Sequence, residues 1–149
     1  MVKDLILKML QKVYVTSMLD IVTIIPGADG PEDMRFGKDE QQVVVWKGVS
    51  RELIEAVYSM IDEGKITMLA VDSSYYRVLN AEFHKQLAET ADARKQRAVA
   101  VCDRLLAAPR ATMDDMFLGK KCENESWMPI MLVLRPASNN RTERILYDA

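Results

Sequence analysis

The sequence predicts an α+β protein, and three observations lead to this expectation. A capped amphipathic helix over residues 51–63 is followed at once by two runs of β-favouring residues, 66–71 and 75–79. A second stretch of helical spacing covers 81–107. Further on, the apolar run 127–134 is typical of a buried strand. Helices and short strands therefore occur together along the whole chain, which favours an α+β fold.

Composition places the chain among ordinary globular domains. Its 149 residues are 49% hydrophobic and 28% charged, which is sufficient for a substantial buried core. The net charge of -2 supplies no general attraction to phosphate or to anionic lipid. Any nucleic-acid site must therefore be a local cluster of basic side chains.

The cysteines and the N-terminal segment indicate a cytoplasmic protein with no membrane partner. Cys102 and Cys122 have neither the dense spacing of a secreted disulfide scaffold nor the spacing of a metal-binding CxxC pair. Charged and polar residues interrupt the apolar stretch 1–15, and no small-residue cleavage site follows it. No other run is long enough to span a bilayer.

Two helices are expected at the start of the chain. Apolar residues recur on one side of 3–12, which predicts a first amphipathic helix. Thr16 and Ser17 are candidate N-caps for a second helix. The β-branched residues in 20–25 are also typical of a strand, so helix and strand both stay open for this segment.

An acidic loop and a short strand are expected next. Residues 26–42 begin with two prolines, two glycines and three acids within eight residues, which predicts a long surface loop. The apolar residues 43–46 predict a short buried strand, with Trp46 as an anchor of the core.

The central helix, 51–63, has the clearest signals in the chain. Ser50 is a natural N-cap, and Gly64 ends the helix because glycine readily adopts the left-handed conformation after the last turn. We expect its apolar face to pack against the first helix; this face contains Leu53, Ile54, Val57, Tyr58, Met60 and Ile61. Strand 66–71, a turn and strand 75–79 would follow as a hairpin.

This order of helix, short strand, helix, helix and hairpin resembles the winged helix-turn-helix superfamily over residues 3–79. The resemblance is one of pattern, without a family-specific motif. It implies DNA binding, with the third helix in the major groove and the hairpin as the wing. The central helix offers one basic side chain for such contacts. The DNA-contacting candidates implied by the resemblance are Lys47, Arg51, Ser73, Ser74 and Arg77.

The second half, residues 80–149, begins with a predicted long helix over 81–107. Asn80 would cap it and Pro109 would end it. Its narrow apolar seam predicts either a homodimer contact or packing across its own domain. The candidate dimer residues are Phe83, Leu87, Ala91, Ala98, Cys102 and Leu105. Arg94, Arg97 and Arg104 share one side of this helix, for which a solvated face is the simpler interpretation.

The C-terminal part predicts a short helix at 113–118 and then a hairpin. Its strands would be 127–134 and 142–147, joined by a turn at 138–140. Because helix-then-hairpin recurs along the chain, a competing architecture is one α+β domain with a single mixed sheet.

The sequence contains no recognisable catalytic constellation. His84 is the single histidine and is expected to be a solvated helix residue, and no ligand spacing points to a metal or another cofactor. The function that the winged-helix resemblance implies is DNA binding by a small winged-helix protein, a transcriptional regulator acting as a dimer. The alternative is a protein-interaction module or inhibitor, whose acidic loop 26–42 and helix 51–63 would bind a basic protein.

Overall fold

A computed structural model of the chain describes residues 1–37, 43–111 and 126–135. Within these ranges the helices are α1 (Val2–Val13), α2 (Met18–Ile24), α3 (Arg51–Asp62), α4 (Ser73–Glu89) and α5 (Ala93–Ala107). The strands are β1 (Val15–Ser17), β2 (Asp29–Phe36), β3 (Val43–Val49), β4 (Ile66–Ala70) and β5 (Ile130–Leu134). The predicted α+β class is confirmed.

The strands form two antiparallel sheets within the described residues. In the first, β5 lies in the centre and pairs with β1 on one side and β4 on the other. In the second, β2 pairs with β3. The strand from the second half of the chain thus completes a sheet begun by the first half. Two antiparallel sheets replace the single mixed sheet of the competing architecture.

Three buried aromatic rings join the elements at the centre of the molecule. The ring centroids of Trp46 and Tyr76 are 5.3 Å apart, and those of Tyr76 and Trp127 are 5.5 Å apart. The Tyr76 hydroxyl donates to the carbonyl oxygen of Ile130 at 2.6 Å and accepts from the Met18 amide at 2.9 Å. Burial raises the pKa of Tyr76 far above its ordinary value. The expected role of Trp46 as a core anchor is confirmed.

The local signals around α2 and α3 are confirmed. Residues 18–24 form a helix, and the Ser17 hydroxyl caps it by accepting from the Asp20 amide at 2.9 Å. Ser50 caps α3 by accepting from the Leu53 amide at 3.0 Å. Gly64 has φ 73°, and its amide donates to the Ile61 carbonyl at 3.0 Å, as a helix-ending glycine does. Local hydrogen bonds therefore fix the starts of α2 and α3 and the end of α3.

The core face of α3 also lies where it was expected. Leu53 and Val57 are fully buried and Ile61 is partly buried, and α3 packs against α1. Lys3 of α1 reinforces this pairing, because its ammonium donates to Ser59 at 3.0 Å and to Glu63 at 3.1 Å.

The predicted wing is wrong. Residues 75–79 belong to α4, and β4 pairs with β5 rather than with a following strand. The Asp72 carboxylate caps α4 by accepting from the Ser74 amide at 2.8 Å, and this hydrogen bond holds the pKa of Asp72 below its ordinary value. Tyr76, Asn80 and Phe83 are buried at helical spacing. The turn-like sequence at 72–74 is therefore a helix start.

The prediction of a single long helix over 81–107 is also wrong. Two helices form instead, and the chain reverses between Glu89 and Ala93 so that α4 and α5 pack together. Asp92 caps α5 by accepting from the Lys95 amide at 3.1 Å. Asn80 lies within α4, where its amide donates to Asp103 of α5 at 2.7 Å. Asn80 thus links the two helices instead of capping one.

The prediction of an acidic loop over 26–42 is wrong for most of its described part, residues 26–37. Asp29–Phe36 form β2, whose register against β3 shifts around Pro31. Such a bulge accommodates a proline, which has no amide proton for the ladder. Glu32 lies 3.6 Å from Arg51, and Asp33 lies 3.7 Å from Lys47. These two acids are therefore paired with bases of the same chain and do not form a free acidic surface.

Several expectations lie outside the described residues. They are residues 38–42 of the loop, the short helix 113–118, Cys122, the turn 138–140 and strand 142–147. The expected strand 127–134 is observed from Ile130 onwards, while Trp127 makes isolated bridges to Val44 and Arg110.

Candidate functional site

A basic concavity lies between α5 and the β2–β3 hairpin. We call it the α5 groove; its volume is about 500 Å³. It is lined by Val22, Asp29, Gly30, Pro31, Trp46, Lys47, Gly48, Arg94, Arg97, Ala98, Ala100, Val101 and Arg104. Its charged lining consists of four cations and one anion, a balance of +3 on a chain of net charge -2.

The arginines reach one groove because of their spacing on α5. Arg94, Arg97 and Arg104 are separated by three and seven residues, which keeps them on one side of a helix. Ala98 and Val101 on the neighbouring face are buried, and α5 packs against β3. The result is a row of guanidinium groups above an apolar floor.

Gly48 in β3 allows this close packing. It has φ 72°, and a Cβ atom added there would lie 3.2 Å from Val101 Cγ2. Glycine is the residue that adopts this conformation without a steric penalty. The distance between the hairpin and α5 therefore depends on the absence of a side chain at position 48.

Arg94 has a structural role at one end of the groove. Its Nε donates to the Val22 carbonyl at 2.6 Å, and its terminal nitrogen donates to the Ile25 carbonyl. These carbonyls belong to the last turn of α2, where a cation satisfies free acceptors and complements the helix dipole. Arg94 therefore holds α5 against α2.

Arg97 and Arg104 are more available to a ligand. One Arg97 nitrogen lies 3.0 Å from Asp29 Oδ2, and its side chain is 63% exposed. Arg104 is exposed and makes no hydrogen bond or ion pair with any residue that the structure describes. Exposed guanidinium groups such as these bind phosphate or carboxylate oxygens in a fork geometry.

Trp46 is also among the residues that line the groove, but its side chain is fully buried. Its Nε1 donates to no described group. The second tryptophan of the core differs, because Trp127 Nε1 donates to the Val45 carbonyl at 3.1 Å.

The structure distributes the predicted DNA contacts over separate surfaces. Lys47 lines the α5 groove. Arg51 is exposed at the first position of α3, beside Glu32. Ser73, Ser74 and Arg77 lie on α4 and do not line the groove. The predicted set therefore does not converge on one site.

Arg110 is a further basic residue, and it has a structural role at the end of α5. The Arg110 guanidinium lies 4.9 Å from the Trp127 ring and donates to the carbonyls of Leu105, Leu106 and Ala108 at the end of α5. Burial and the nearby charge of Arg77 lower the pKa of Arg110. Arg110 therefore caps α5, and this leaves the α5 groove as the better anion site.

The predicted dimer seam is wrong, because most of its residues are buried within their own chain. Ala91 is exposed in the reversal between the helices, and Leu87 packs partly against the core. The buried members are Phe83, Ala98, Cys102 and Leu105. Burial raises the pKa of the Cys102 thiol to about 12. The seam packs α4 and α5 against the core of their own chain, which was the alternative interpretation of the same pattern.

His84 lies on α4, is half-exposed as expected, and contacts α5. Its Nε2 is 3.2 Å from Asp103 Oδ1, the same oxygen that accepts from Asn80. No group of three metal-ligating side chains occurs in the described ranges. None of the helices in those ranges has the length and apolar character needed to cross a membrane.

Comparison with known proteins yields no relative. No protein-family model matches the chain, and no curated protein or solved structure is significantly similar to it. Sequence reasoning placed the three α5 arginines on one side of a helix but gave no sign of the hairpin that faces them. The functional interpretation therefore rests on the geometry of the groove.

Proposed function

We propose that this protein binds DNA through the phosphate backbone, with the α5 groove as the contact surface. The observation that carries the proposal is the presence of Arg97, Arg104 and Lys47 in one groove of a chain whose net charge is negative. Nonspecific affinity for DNA comes from basic side chains that neutralise phosphates and release counterions. Clustered arginines supply that affinity locally, without a basic protein overall.

The spacing of the two available arginines suits a polyanion. Arg97 and Arg104 are seven residues apart, which corresponds to about 10 Å along a helix axis. Phosphates along one DNA strand advance by about 3.4 Å per nucleotide along the duplex axis. Two arginines at this spacing therefore span about three nucleotides of one backbone.

The proposal moves the DNA contact away from α3. The exposed side of α3 carries Glu52, Glu55 and Asp62, which would repel phosphates. The order α1, β1, α2, α3, followed by the antiparallel pair β4 and β5, supports a relationship to winged-helix proteins. Compared with that pattern, the β2–β3 hairpin and the α4–α5 pair are additions, and they form the α5 groove.

Binding to a labelled DNA duplex of mixed sequence tests the proposal. We expect binding that weakens steeply between about 50 and 200 mM salt. Arg104→Gln should weaken binding about fivefold and reduce the salt slope by about one phosphate contact. Arg77→Gln is the matched control, since it removes the same charge from an exposed helical position outside the groove.

Two results would reject DNA binding through the α5 groove. The first is no measurable binding by the wild-type protein at the lowest salt. The second is equal weakening by Arg104→Gln and Arg77→Gln, because the protein would then respond to net charge and not to the groove. Urea denaturation of each variant establishes that it is folded.

We also propose that the protein is a cytoplasmic homodimer and that the contact lies at the start of α4. Tyr75 and Val78 are 49% and 72% exposed and line a shallow apolar concavity. Large apolar side chains exposed together on one helix are typical of a contact surface. The same patch on a second copy can cover them, as a twofold interface requires.

A further inference from the structure

The carboxylate of Asp29 lies inside the α5 groove, between two of its arginines. Its Oδ1 is 3.4 Å from Arg94 Nε, and its Oδ2 is 3.0 Å from a terminal nitrogen of Arg97. The two oxygens thus contact two guanidinium groups, in the manner of two oxygens of one phosphate. Among the charged side chains that line the groove, Asp29 is the single anion.

The backbone fixes the position of this carboxylate. Asp29 is the first residue of β2, and the preceding carbonyls of Gly27 and Ala28 accept hydrogen bonds from Ser50 at 2.6 and 2.8 Å. Gly30 lies so close to the N-cap of α3 that an added Cβ would be 2.8 Å from the Ser50 Cα. The segment 27–30 is therefore held against the start of α3, and Asp29 cannot withdraw far from the groove.

The two arginines differ in how firmly they hold Asp29. Arg94 is also bound to the carbonyls of Val22 and Ile25, so its guanidinium is fixed. The Arg97 side chain is 63% exposed, and Asp29 is its contact among the described residues. An incoming anion can therefore displace the Asp29 carboxylate from the Arg97 guanidinium, while Arg94 stays in place.

We propose that Asp29 is a built-in competitor for phosphate, which sets the affinity of the α5 groove and favours polyanions over single anions. A single anion can contact Arg97 only by displacing the Asp29 carboxylate. A polyanion contacts Arg104 at the same time, and this additional contact offsets the displacement. This inference rests on the proposed binding of DNA, since it concerns the regulation of the same groove.

The variant Asp29→Asn tests the inference, because it keeps the size of the side chain and removes its charge. Duplex DNA should bind about two- to fivefold more tightly to this variant, the range expected for release of one exposed ion pair. The same change in net charge is made by Glu32→Gln, whose partner Arg51 lies outside the groove. This control should change the affinity less than twofold.

The double variant Asp29→Asn with Arg97→Gln separates a specific effect from a general one. The gain from Asp29→Asn should disappear in this background, because the released arginine is absent. If Asp29→Asn proves unfolded, the single variants decide: Arg97→Gln should weaken binding less than Arg104→Gln, since Arg97 is already engaged with Asp29.

The outcomes distinguish the inference from the proposed function. Wild-type binding that is unchanged by Asp29→Asn, or equally tightened by Glu32→Gln, overturns the role of Asp29 and leaves DNA binding intact. Binding by Asp29→Asn but not by the wild type would support the competition by Asp29 and would reject DNA binding by the wild-type protein. Absence of binding by both proteins rejects the competitor role together with the proposed function.

Discussion

Gly48 of β3 lies directly against Val101 of α5, and this contact sets how closely the hairpin approaches the helix. A Cβ at Gly48 would be 3.2 Å from Val101 Cγ2, closer than side chains normally pack. The φ angle of Gly48 is 72°, a value that favours glycine. The α5 groove therefore depends on a position where both the backbone conformation and the available space require glycine.

Gly48→Ala should lower the free energy of unfolding by about 2 kcal/mol, the sum of a left-handed backbone and a crowded contact. Gly64→Ala is the matched control, because Gly64 has φ 73° and no atom within 4 Å of its added Cβ. That variant should lose about 1 kcal/mol from the backbone alone. Urea denaturation measures both, and equal losses would mean that the contact with Val101 is not tight.

Tyr76→Phe should destabilise the protein by about 1–3 kcal/mol, because the Met18 amide and the Ile130 carbonyl would lose a buried partner. Tyr75→Phe removes the same hydroxyl from a half-exposed neighbour and should change stability by less than about 0.5 kcal/mol. Chemical denaturation of the two variants gives the comparison. A loss at position 76 no larger than that at position 75 would contradict the hydrogen-bonded position of the Tyr76 hydroxyl.

Sedimentation equilibrium at micromolar concentration tests the homodimer. We expect a dimeric wild type and a monomeric Val78→Glu variant, because the charge would be buried without a partner in the contact. Ile24→Glu places the same charge at another exposed apolar residue and should leave the dimer intact. A monomeric wild type would exclude the dimer, and a dimer that survives Val78→Glu would exclude the contact through α4. Leu105 is unsuitable for this test, since it is buried within its own chain.

The sequence by itself determined the local features of this fold. The caps of α2 and α3, the glycine that ends α3 and the buried face of α3 are confirmed. These features depend on hydrogen bonds and spacings within one or two helical turns, so the residues that decide them are neighbours in sequence. The common side of Arg94, Arg97 and Arg104 was predictable for the same reason.

Only the tertiary structure decided which elements meet. The partner of β4 is β5, more than sixty residues further along the chain, and no local pattern specifies that pairing. Aromatic and β-branched residues at 75–79 favour a strand by propensity, but the burial of Tyr76 against Trp46 and Trp127 selects a helix. Likewise, an apolar seam predicts burial without saying what covers it.

The α5 groove also combines a local feature that the sequence predicts with a long-range contact that it does not. Helical spacing aligns its arginines, but the β2–β3 hairpin that faces them arises from a segment whose prolines, glycines and acids are typical of a loop. The position of Asp29 between Arg94 and Arg97 joins residues more than sixty positions apart. Periodicity within one element can predict which side chains share a face, whereas a site between elements depends on long-range packing and charge pairing that form only when the chain folds.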